Sequence, residues 1–231
     1  MNTTYGSGFT VREAVFNLER NCFLLGISAV LIDMHCHSVF SQDNNLEPAD
    51  LIDRAVQLGL DGVCFTEHYS VDASRPVERI ERPDGFLIFR GVEISTDVGH
   101  VLVYGLSDDS WNVWGRNLHL NLAEIMEIVH ALGGICIPAH PFRGWESFGE
   151  RIYTIKGLDG IETHNGVDGP LQQRSAMEAA LKLGLPSIGG SDCHHLNQVG
   201  RTFTEFKDPI SSMADIIVQI KAGTCRGKNH E

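Results

Sequence analysis

The sequence predicts an α/β fold in which a mainly parallel sheet curves into a barrel. Eight apolar runs of strand length are interspersed with four helical stretches, and each helical stretch ends on glycine. A glycine in that place is typical of a helix C-terminal cap. Strands separated by helices of this length indicate βα units, whose strands run parallel. The chain has 231 residues, 42% of them hydrophobic, which suits one sizeable core without a second domain.

The predicted elements can be read off in chain order. The strands are SAVLIDM, GVCFT, FLIFRGVEI, HVLVYG, GICIPA, DGIET, LPSIGG and RTFTEF. The helices are EPADLIDRAVQLG, NLAEIMEIVHALGG, GPLQQRSAMEAALKLG and ISSMADIIVQIKAG. Seven or eight strands can close into a barrel, and an open doubly wound sheet is the alternative. No GxGxxG follows the first strand, so a dinucleotide-binding fold has no support.

Residues 1–27 predict a helical extension that precedes the barrel domain of residues 28–231. TVRE at 10–13 matches the S/T-x-x-E capping box, and VREAVFNLER follows as a short amphipathic helix. We expect it to pack on the outside of the domain, with a regulatory or dimerising arm as the alternative. The segment lacks the features of a secretory signal, and FLLGISAVLI is too short to cross a bilayer. We therefore expect a cytoplasmic protein that does not bind membranes.

Charge and cysteine content narrow the functional class. The formal net charge is -12 and there is no long basic run, whereas a large nucleic-acid footprint normally needs a basic face. We therefore expect no extended duplex nucleic acid as partner, although a local cluster can still hold a small anion. The six cysteines form no CxxC pair, so we expect buried thiols in a reducing compartment.

The stretch DMHCHS at 33–38 carries the first metal-binding signal. Side chains alternate along a strand, so Asp33, His35 and His37 share one face while Met34 and Cys36 share the other. The two histidines can therefore converge on one ion, whereas the cysteine turns away into the packing.

The same pattern returns late in the chain and at the ends of the strands between. SDCHH places Asp192 and His194 at i and i+2 after another apolar strand. Further polar residues stand at the ends or starts of the intervening strands: Glu67, His68, Glu93, His100, His140, Glu162, His164 and Asn165. A parallel α/β barrel builds its active site at the carboxyl ends of its strands, so these residues predict a metal site there. Imidazole and carboxylate donors without thiolates suit zinc, manganese or iron(II).

These motifs together resemble the PHP family, the polymerase and histidinol phosphatase metal-dependent phosphoesterases. The matching stretches are DMHCHS, TEH, GVE with the following His100, AHP and GSDCHH, in the family's order. The resemblance covers most of the chain. It implies a distorted seven-stranded, TIM-like (β/α) barrel with two or three divalent ions at its mouth.

The resemblance also implies which residues bind the ions. His35 and His37 would bind the first ion together with Asp192 and Glu93. Glu93 would bridge to the second ion. Asp33 shares the face of the histidines but lies deeper, so we expect it to orient a ligand rather than bind an ion.

The second and third ions would take the remaining ligands. His100 and His140 would bind the second ion together with the bridging glutamate. His68 and His194 would bind a third ion. The loop after the first strand reads SVFSQDN, and Asp43 is its natural additional ligand.

The implied reaction is hydrolysis of a phosphate ester by a metal-activated hydroxide, with Glu93 and Asp192 at its centre. Arg143 after AHP and Arg201 in VGRTFTE are expected to grip the phosphate, with surface salt bridges as the alternative. The substrate would be a small phosphomonoester or a short nucleotide, because no large insertion separates Glu93 from Asp192. Two other functions remain open: an amidohydrolase or deaminase, and a metal-binding regulatory domain without turnover.

Overall fold

The computed structural model describes residues 29–41, 43–113, 120–144 and 146–230. The extension predicted over residues 1–27, with its capping box, lies outside the described residues, as do Cys22 and His119. None of the described helices combines the length and the apolar character that crossing a bilayer would require.

The described ranges contain nine strands and four α-helices. The strands are β1 Val30–Cys36, β2 Gly62–Phe65, β3 Leu87–Ser95, β4 His100–Tyr104, β5 Ile135–Pro138, β6 Ile161–Asn165, β7 Ser187–Gly190, β8 Thr202–Phe206 and β9 Cys225–Asn229. The helices are α1 Pro48–Gln57, α2 Leu122–Ala131, α3 Pro170–Leu183 and α4 Met213–Ala222. All eight predicted strands and all four predicted helices of the barrel domain are therefore present.

The strands form a curled seven-stranded sheet and a separate pair. The sheet has the order β5-β4-β3-β2-β1-β8-β9, and β6 pairs with β7. The contacts β1–β2, β2–β3 and β6–β7 are parallel, whereas β3–β4, β4–β5, β1–β8 and β8–β9 are antiparallel. The α/β class is confirmed, but a complete seven-stranded (β/α) barrel is not.

Two features explain the difference from a complete barrel. Only residues 96–99 connect β3 to β4, and this is too short for the crossover that parallel strands need. The β6–β7 pair also meets the large sheet through single backbone hydrogen bonds. Asp159 N donates to Cys136 O over 3.0 Å, and Asp192 N donates to His35 O over 2.7 Å.

The last strand, β9, was missed in the sequence because its residues CRGKN are mostly polar. It lies at the sheet edge against β8, where Arg226 Nη2 is 2.7 Å from Glu205 Oε1 and Lys228 Nζ is 3.5 Å from Glu205 Oε2. Cross-strand charge pairs and an edge position let a polar segment form a strand.

The helices begin and end at the residues that the sequence indicated. α1 and α3 begin on proline, and α4 begins with a capping box between Ser212 and Asp215. Glycines with φ between 65° and 83° follow all four helices. Because this left-handed backbone strains any side chain with a Cβ, glycine is the residue that ends the helix there.

Successive side chains of β1 point to opposite faces of the sheet, as predicted. Ile32 and Met34 are buried in an apolar cluster that also includes α4 residues, and Cys36 is buried in a second cluster against α1. His35 and His37 point to the opposite face, where the other strand-end residues gather. All five cysteines in the described ranges are buried free thiols.

Candidate metal centre

The predicted metal-binding residues meet at one edge of the sheet. His35 and His37 lie at the end of β1, and Glu93 lies near the end of β3. His100 begins β4, yet it reaches the same edge because β4 runs antiparallel to β3 and pairs Ser95 with His100. The loops after β2, β5 and β7 supply the rest, namely His68, His140, Asp192 and His194.

The first group of donors surrounds the two histidines of β1. The Nε2 atoms of His35 and His37 are 3.0 Å apart. Glu93 Oε2 lies 3.6 Å from His35 Nε2 and 3.2 Å from His37 Nε2. Asp192 Oδ1 lies 3.5 Å and 3.4 Å from the same two nitrogens. Carboxylate oxygens from two other strand ends therefore lie within 3.6 Å of the two Nε2 atoms.

The second group is built on the other oxygen of Glu93. Its Oε1 atom lies 3.1 Å from His100 Nδ1 and 3.0 Å from His140 Nε2. Since Oε2 faces His35 and His37, the two oxygens of one carboxylate serve two different groups. The carboxylate of Glu93 therefore lies between the two groups of donors.

The third group combines His37, His68 and His194, whose candidate donor atoms lie within 4.8 Å of one another. Asp43 Oδ2 lies 3.1 Å from His68 Nε2 and 3.4 Å from His194 Nε2. The loop after β1 thus brings Asp43 beside the histidines that the sequence assigned to it, although its side chain is about half exposed.

Buried carboxylates hold the histidines of β1 in place. His35 Nδ1 lies 2.8 Å from Glu162 Oε1, so Nδ1 keeps its proton and Nε2 is the ring atom that faces the centre. His37 Nδ1 lies 3.0 Å from Ser41 Oγ, which itself donates to Glu67. Ser41 therefore accepts from His37, and Nε2 of that ring also faces the centre.

Asp33 supports the backbone rather than a ring. Its Oδ1 accepts from the backbone N of Ser191 over 2.7 Å and of His35 over 3.3 Å, and its Oδ2 accepts from Gly200 N over 3.1 Å. Burial raises the pKa of this carboxyl, and the backbone bonds oppose that rise. Asp33 thereby ties the end of β1 to the loop that carries Asp192.

Two of the gathered residues have uncommon backbone angles. His140 has φ of 29° and Asp192 has φ of 51°. Positive φ is unfavourable for residues with a Cβ, and such strain is typically found where a side chain must be aimed at a functional site. A buried Nδ1 atom of His140 also has no hydrogen-bond partner among the described residues.

The charges at the centre favour protonated histidines and ionised carboxylates. Burial alone would lower the pKa of His37, but hydrogen bonds to Asp192 and Glu93 outweigh it and raise that pKa to about 10. Burial alone would raise the pKa of Glu93, but His35 and His100 outweigh it and hold that pKa well below its usual value. Without ions the site balances carboxylates against protons, and divalent cations can take over that role.

Arg143 lies at the centre, where three oxygens hold it. Its Nε donates to Asp168 Oδ1 and its Nη1 donates to Asp192 Oδ2, both over 2.7 Å. Its Nη2 donates to Asn165 Oδ1 over 2.6 Å. The guanidinium is therefore fixed beside Asp192.

Arg201 lies elsewhere. Its Nε donates to Asn197 O over 3.1 Å, and Arg201 lines a neighbouring cavity together with Arg54. The structure thus separates the two arginines that the sequence treated as equivalent.

Several other polar residues are also outside the centre. His164 faces β9. His130, on α2, pairs with Asp159, and the two side chains are 2.7 Å apart. His195, which follows His194, is exposed. Lys182 Nζ lies 4.1 Å from the centroid of the Tyr153 ring, and Lys156 lines a separate cavity beside α2.

Three residues that contact His35 or Arg143 were not among the predicted ligands: Glu162, Asn165 and Asp168. Glu162 and Asn165 were visible as residues at the end of β6, but strand position alone did not say that they contact His35 and Arg143. Asp168 stands three residues beyond β6, in a turn, and carries no sequence signal of its own.

The donor set fits divalent metal ions. Nitrogen and oxygen donors converge without a thiolate, since Cys36 and Cys193 are buried in the packing. Such a set suits zinc, manganese or iron(II).

Two family models match the chain. The model of the PHP domain matches residues 33–132, and a PHP-associated model matches residues 170–225. Uncharacterized protein MJ1587 of Methanocaldococcus jannaschii is 26% identical over 144 residues, which cover 58% of this chain and 80% of that protein. The probable histidinol-phosphatase of Thermotoga maritima is 36% identical over 73 residues, which are 29% of this chain and 31% of that protein.

Solved structures share the fold. PsfC from Pseudomonas syringae superposes with a TM-score of 0.67 at 20% identity, covering 87% of this chain and 92% of that chain. A two-domain protein from Bacteroides vulgatus, containing a predicted PHP-like metal-dependent phosphoesterase, superposes with a TM-score of 0.63 at 22% identity. The match covers 89% of this chain and 66% of that chain. At these identities the likeness shows the fold alone.

A third structure corrects the expectation drawn from charge. Endonuclease Q, in complex with a 27-mer duplex that has an abasic lesion at the active site, gives a TM-score of 0.62 at 19% identity. It covers 86% of this chain and 58% of that chain. The exclusion of extended duplex nucleic acid was therefore wrong. Net charge is summed over the whole molecule, whereas binding depends on the local potential at a site.

Proposed function

The chain belongs to the PHP domain family of metal-dependent phosphoesterases, and we propose that it hydrolyses a small phosphate ester at a cluster of two or three divalent ions. The observation that carries this proposal is the position of Glu93. Its two oxygens face separate groups of imidazoles, with His37 on one side and His140 on the other. One carboxylate between two sets of nitrogen donors supports more than one ion.

Each group of residues has a proposed role. His35, His37 and Asp192 would hold the first ion, and His100 and His140 the second. The third would lie between His68, His194 and Asp43, and Glu93 is shared between the first two. Bound divalent ions would lower the pKa of water and neutralise charge on the phosphate.

The protein's own residues would orient the site and set its charge. Glu162 and Ser41 hold the Nδ1 atoms of His35 and His37, so both Nε2 atoms point inward before substrate arrives. Arg143 keeps the Asp192 carboxylate in one orientation, and its guanidinium is partly exposed beside the cluster. Hydrogen atoms on Nη1 and Nη2 that are not used by Asp192 and Asn165 can donate to a phosphate oxygen.

The test is turnover with and without metal. The protein loaded with manganese or zinc is given a panel of phosphomonoesters, a phosphodiester, an amide, a nucleobase and a duplex with an abasic site. We expect phosphate release that a chelator abolishes and that added metal restores. Turnover of the amide or nucleobase would instead indicate an amidohydrolase or deaminase. Cleavage of the duplex would identify a nuclease, and bound metal without any turnover would leave a regulatory domain.

A further inference from the structure

A separate cavity of about 530 Å³ lies beside the candidate metal centre. Its wall includes Arg54 of α1, Arg201 before β8, and Gly166, Asp168 and Asn197 from the loops after β6 and β7. This volume lies within the range of small-molecule sites, which hold about 300 to 1,000 Å³. The cavity therefore has the size to hold part of a substrate.

The two arginines of this cavity have unused hydrogen-bond donors. In the described ranges, no hydrogen bond or ion pair is formed by the side chain of Arg54. Arg201 uses its Nε atom on Asn197 O, which leaves both Nη groups for a ligand. An arginine fork without a carboxylate binds planar or tetrahedral anions well. In a protein with a net charge of -12, two such groups in one cavity mark a local positive site.

The one carboxylate in the cavity wall is already occupied. Asp168 Oδ1 accepts from Arg143 Nε over 2.7 Å, and the opposite side of that guanidinium contacts Asp192 over the same distance. Asp168 is therefore already engaged by Arg143, which weakens its attraction for Arg54 and Arg201. The same contacts link the cavity wall to the candidate metal centre through the guanidinium of Arg143.

A glycine allows Arg201 to stand this close. A Cβ atom at Gly166 would lie 2.7 Å from Ser191 O and 3.1 Å from the Cβ of Arg201. A larger residue would force the end of β6 away from the loop that carries Arg201. The close packing fixes the base of the arginine side chain relative to the centre.

We propose that this cavity binds a second anionic group of the substrate while the phosphate to be removed lies at the metal centre. The inference rests on the proposed function and narrows its substrate class to phosphate esters that carry another phosphate or a carboxylate. Arg54 and Arg201 would determine this specificity. The phosphate-gripping role expected for Arg201 thereby moves from the reacting group to the distal one.

The first test is binding without turnover. Protein in excess chelator is labelled with ¹⁵N-arginine and titrated with inorganic phosphate, and the Nε–H signals are followed by NMR. We expect saturable shifts of the signals assigned to Arg54 and Arg201 by the variants R54A and R201A. The signal of Arg79, an exposed arginine outside the cavity, should not move. If no shift occurs at Arg54 and Arg201, the cavity does not bind anions and the inference fails.

The second test compares two substrates that differ by one charge. D-3-Phosphoglycerate carries a carboxylate, whereas glycerol 3-phosphate carries a hydroxymethyl group in its place. We expect R54A and R201A to raise KM for phosphoglycerate by about tenfold with kcat unchanged, because charge-assisted hydrogen bonds are lost. KM for glycerol 3-phosphate should change by less than about twofold. R79A, which removes the same charge elsewhere, should change neither.

The two tests separate the two levels of the proposal. Equal changes in KM for both esters would overturn the specificity role even if phosphate binds. If neither ester is hydrolysed but phosphate shifts both arginine signals, the proposed reaction fails while the anion cavity stands. A loss of kcat alone in R201A would place this arginine at the reacting phosphate and would also contradict the inference.

Discussion

His35 Nδ1 lies 2.8 Å from Glu162 Oε1. The other oxygen of Glu162 accepts from the backbone N of His140 over 2.6 Å. One buried carboxylate thus orients histidines from β1 and from the loop after β5, and these belong to two different groups of donors. A residue that orients metal-binding histidines typically affects metal affinity, although it does not bind the ion itself.

The variant Glu162→Gln should weaken metal binding while leaving the fold intact. A glutamine accepts through only one oxygen, so it cannot serve both His35 and the backbone of His140. We expect a fall in affinity of about 10- to 100-fold, measured by competition with a chelator of known affinity. Glu178→Gln on the exposed face of α3 is the matched control. Unchanged affinity in Glu162→Gln would show that the contact is only structural.

Glu93→Gln should reduce the number of ions bound as well as their affinity. The amide nitrogen of glutamine cannot bind a cation, so one of the two groups that share Glu93 loses a donor. We expect less bound manganese or zinc per chain by elemental analysis, and turnover reduced by more than about 100-fold. A variant that retains the full metal content would argue against a shared carboxylate.

Replacement of Arg143 by alanine should destabilise the protein more than loss of a surface arginine. Arg143 donates to two largely buried carboxylates and an amide, and its removal leaves Asp168 and Asp192 uncompensated. We expect the free energy of unfolding of the metal-loaded protein, measured with urea, to fall by about 1.5–3 kcal/mol. R226A removes an exposed pair with Glu205 and should cost less than about 1 kcal/mol. Similar losses of stability in R143A and R226A would contradict a stabilising role for the contacts of Arg143.

Gly190→Ala should disturb the junction between β7 and β1. A Cβ at this position would collide with the backbone N and the Cβ of His35. We expect a loss of about 1–3 kcal/mol or failure to fold, with metal binding impaired in any protein that does fold. Gly144→Ala, where the added Cβ meets open space, is the stability control. Wild-type stability and metal content in Gly190→Ala would refute the close contact.

The thiols should stay unreactive in the folded protein across ordinary pH. Burial raises the pKa of Cys225 to about 12, so this thiol remains protonated as the pH rises until it approaches that value. Cys36, Cys64 and Cys136 also have raised pKa values because they are buried. Mass spectrometry after iodoacetamide treatment at pH 8 should find these four cysteines unmodified. Unfolded protein should react fully, whereas rapid labelling of the native chain would contradict their burial.

The sequence by itself determined every strand and helix of the described domain except β9, and it determined which histidines and acids end those strands. Alternation along DMHCHS placed His35 and His37 on one face and Cys36 on the other. Glycines after each helix marked the helix ends. Both signals are local, because they depend on backbone geometry within a few residues.

Tertiary structure decided everything that depends on residues distant in the chain. It paired Glu162 with His35, gave Arg143 and Arg201 different surroundings, and left the sheet curled rather than closed as a complete barrel. It also made a strand of CRGKN, because β8 supplied an edge and Glu205 supplied opposite charge. Such contacts form only when separate segments pack, so no local pattern of residues encodes them.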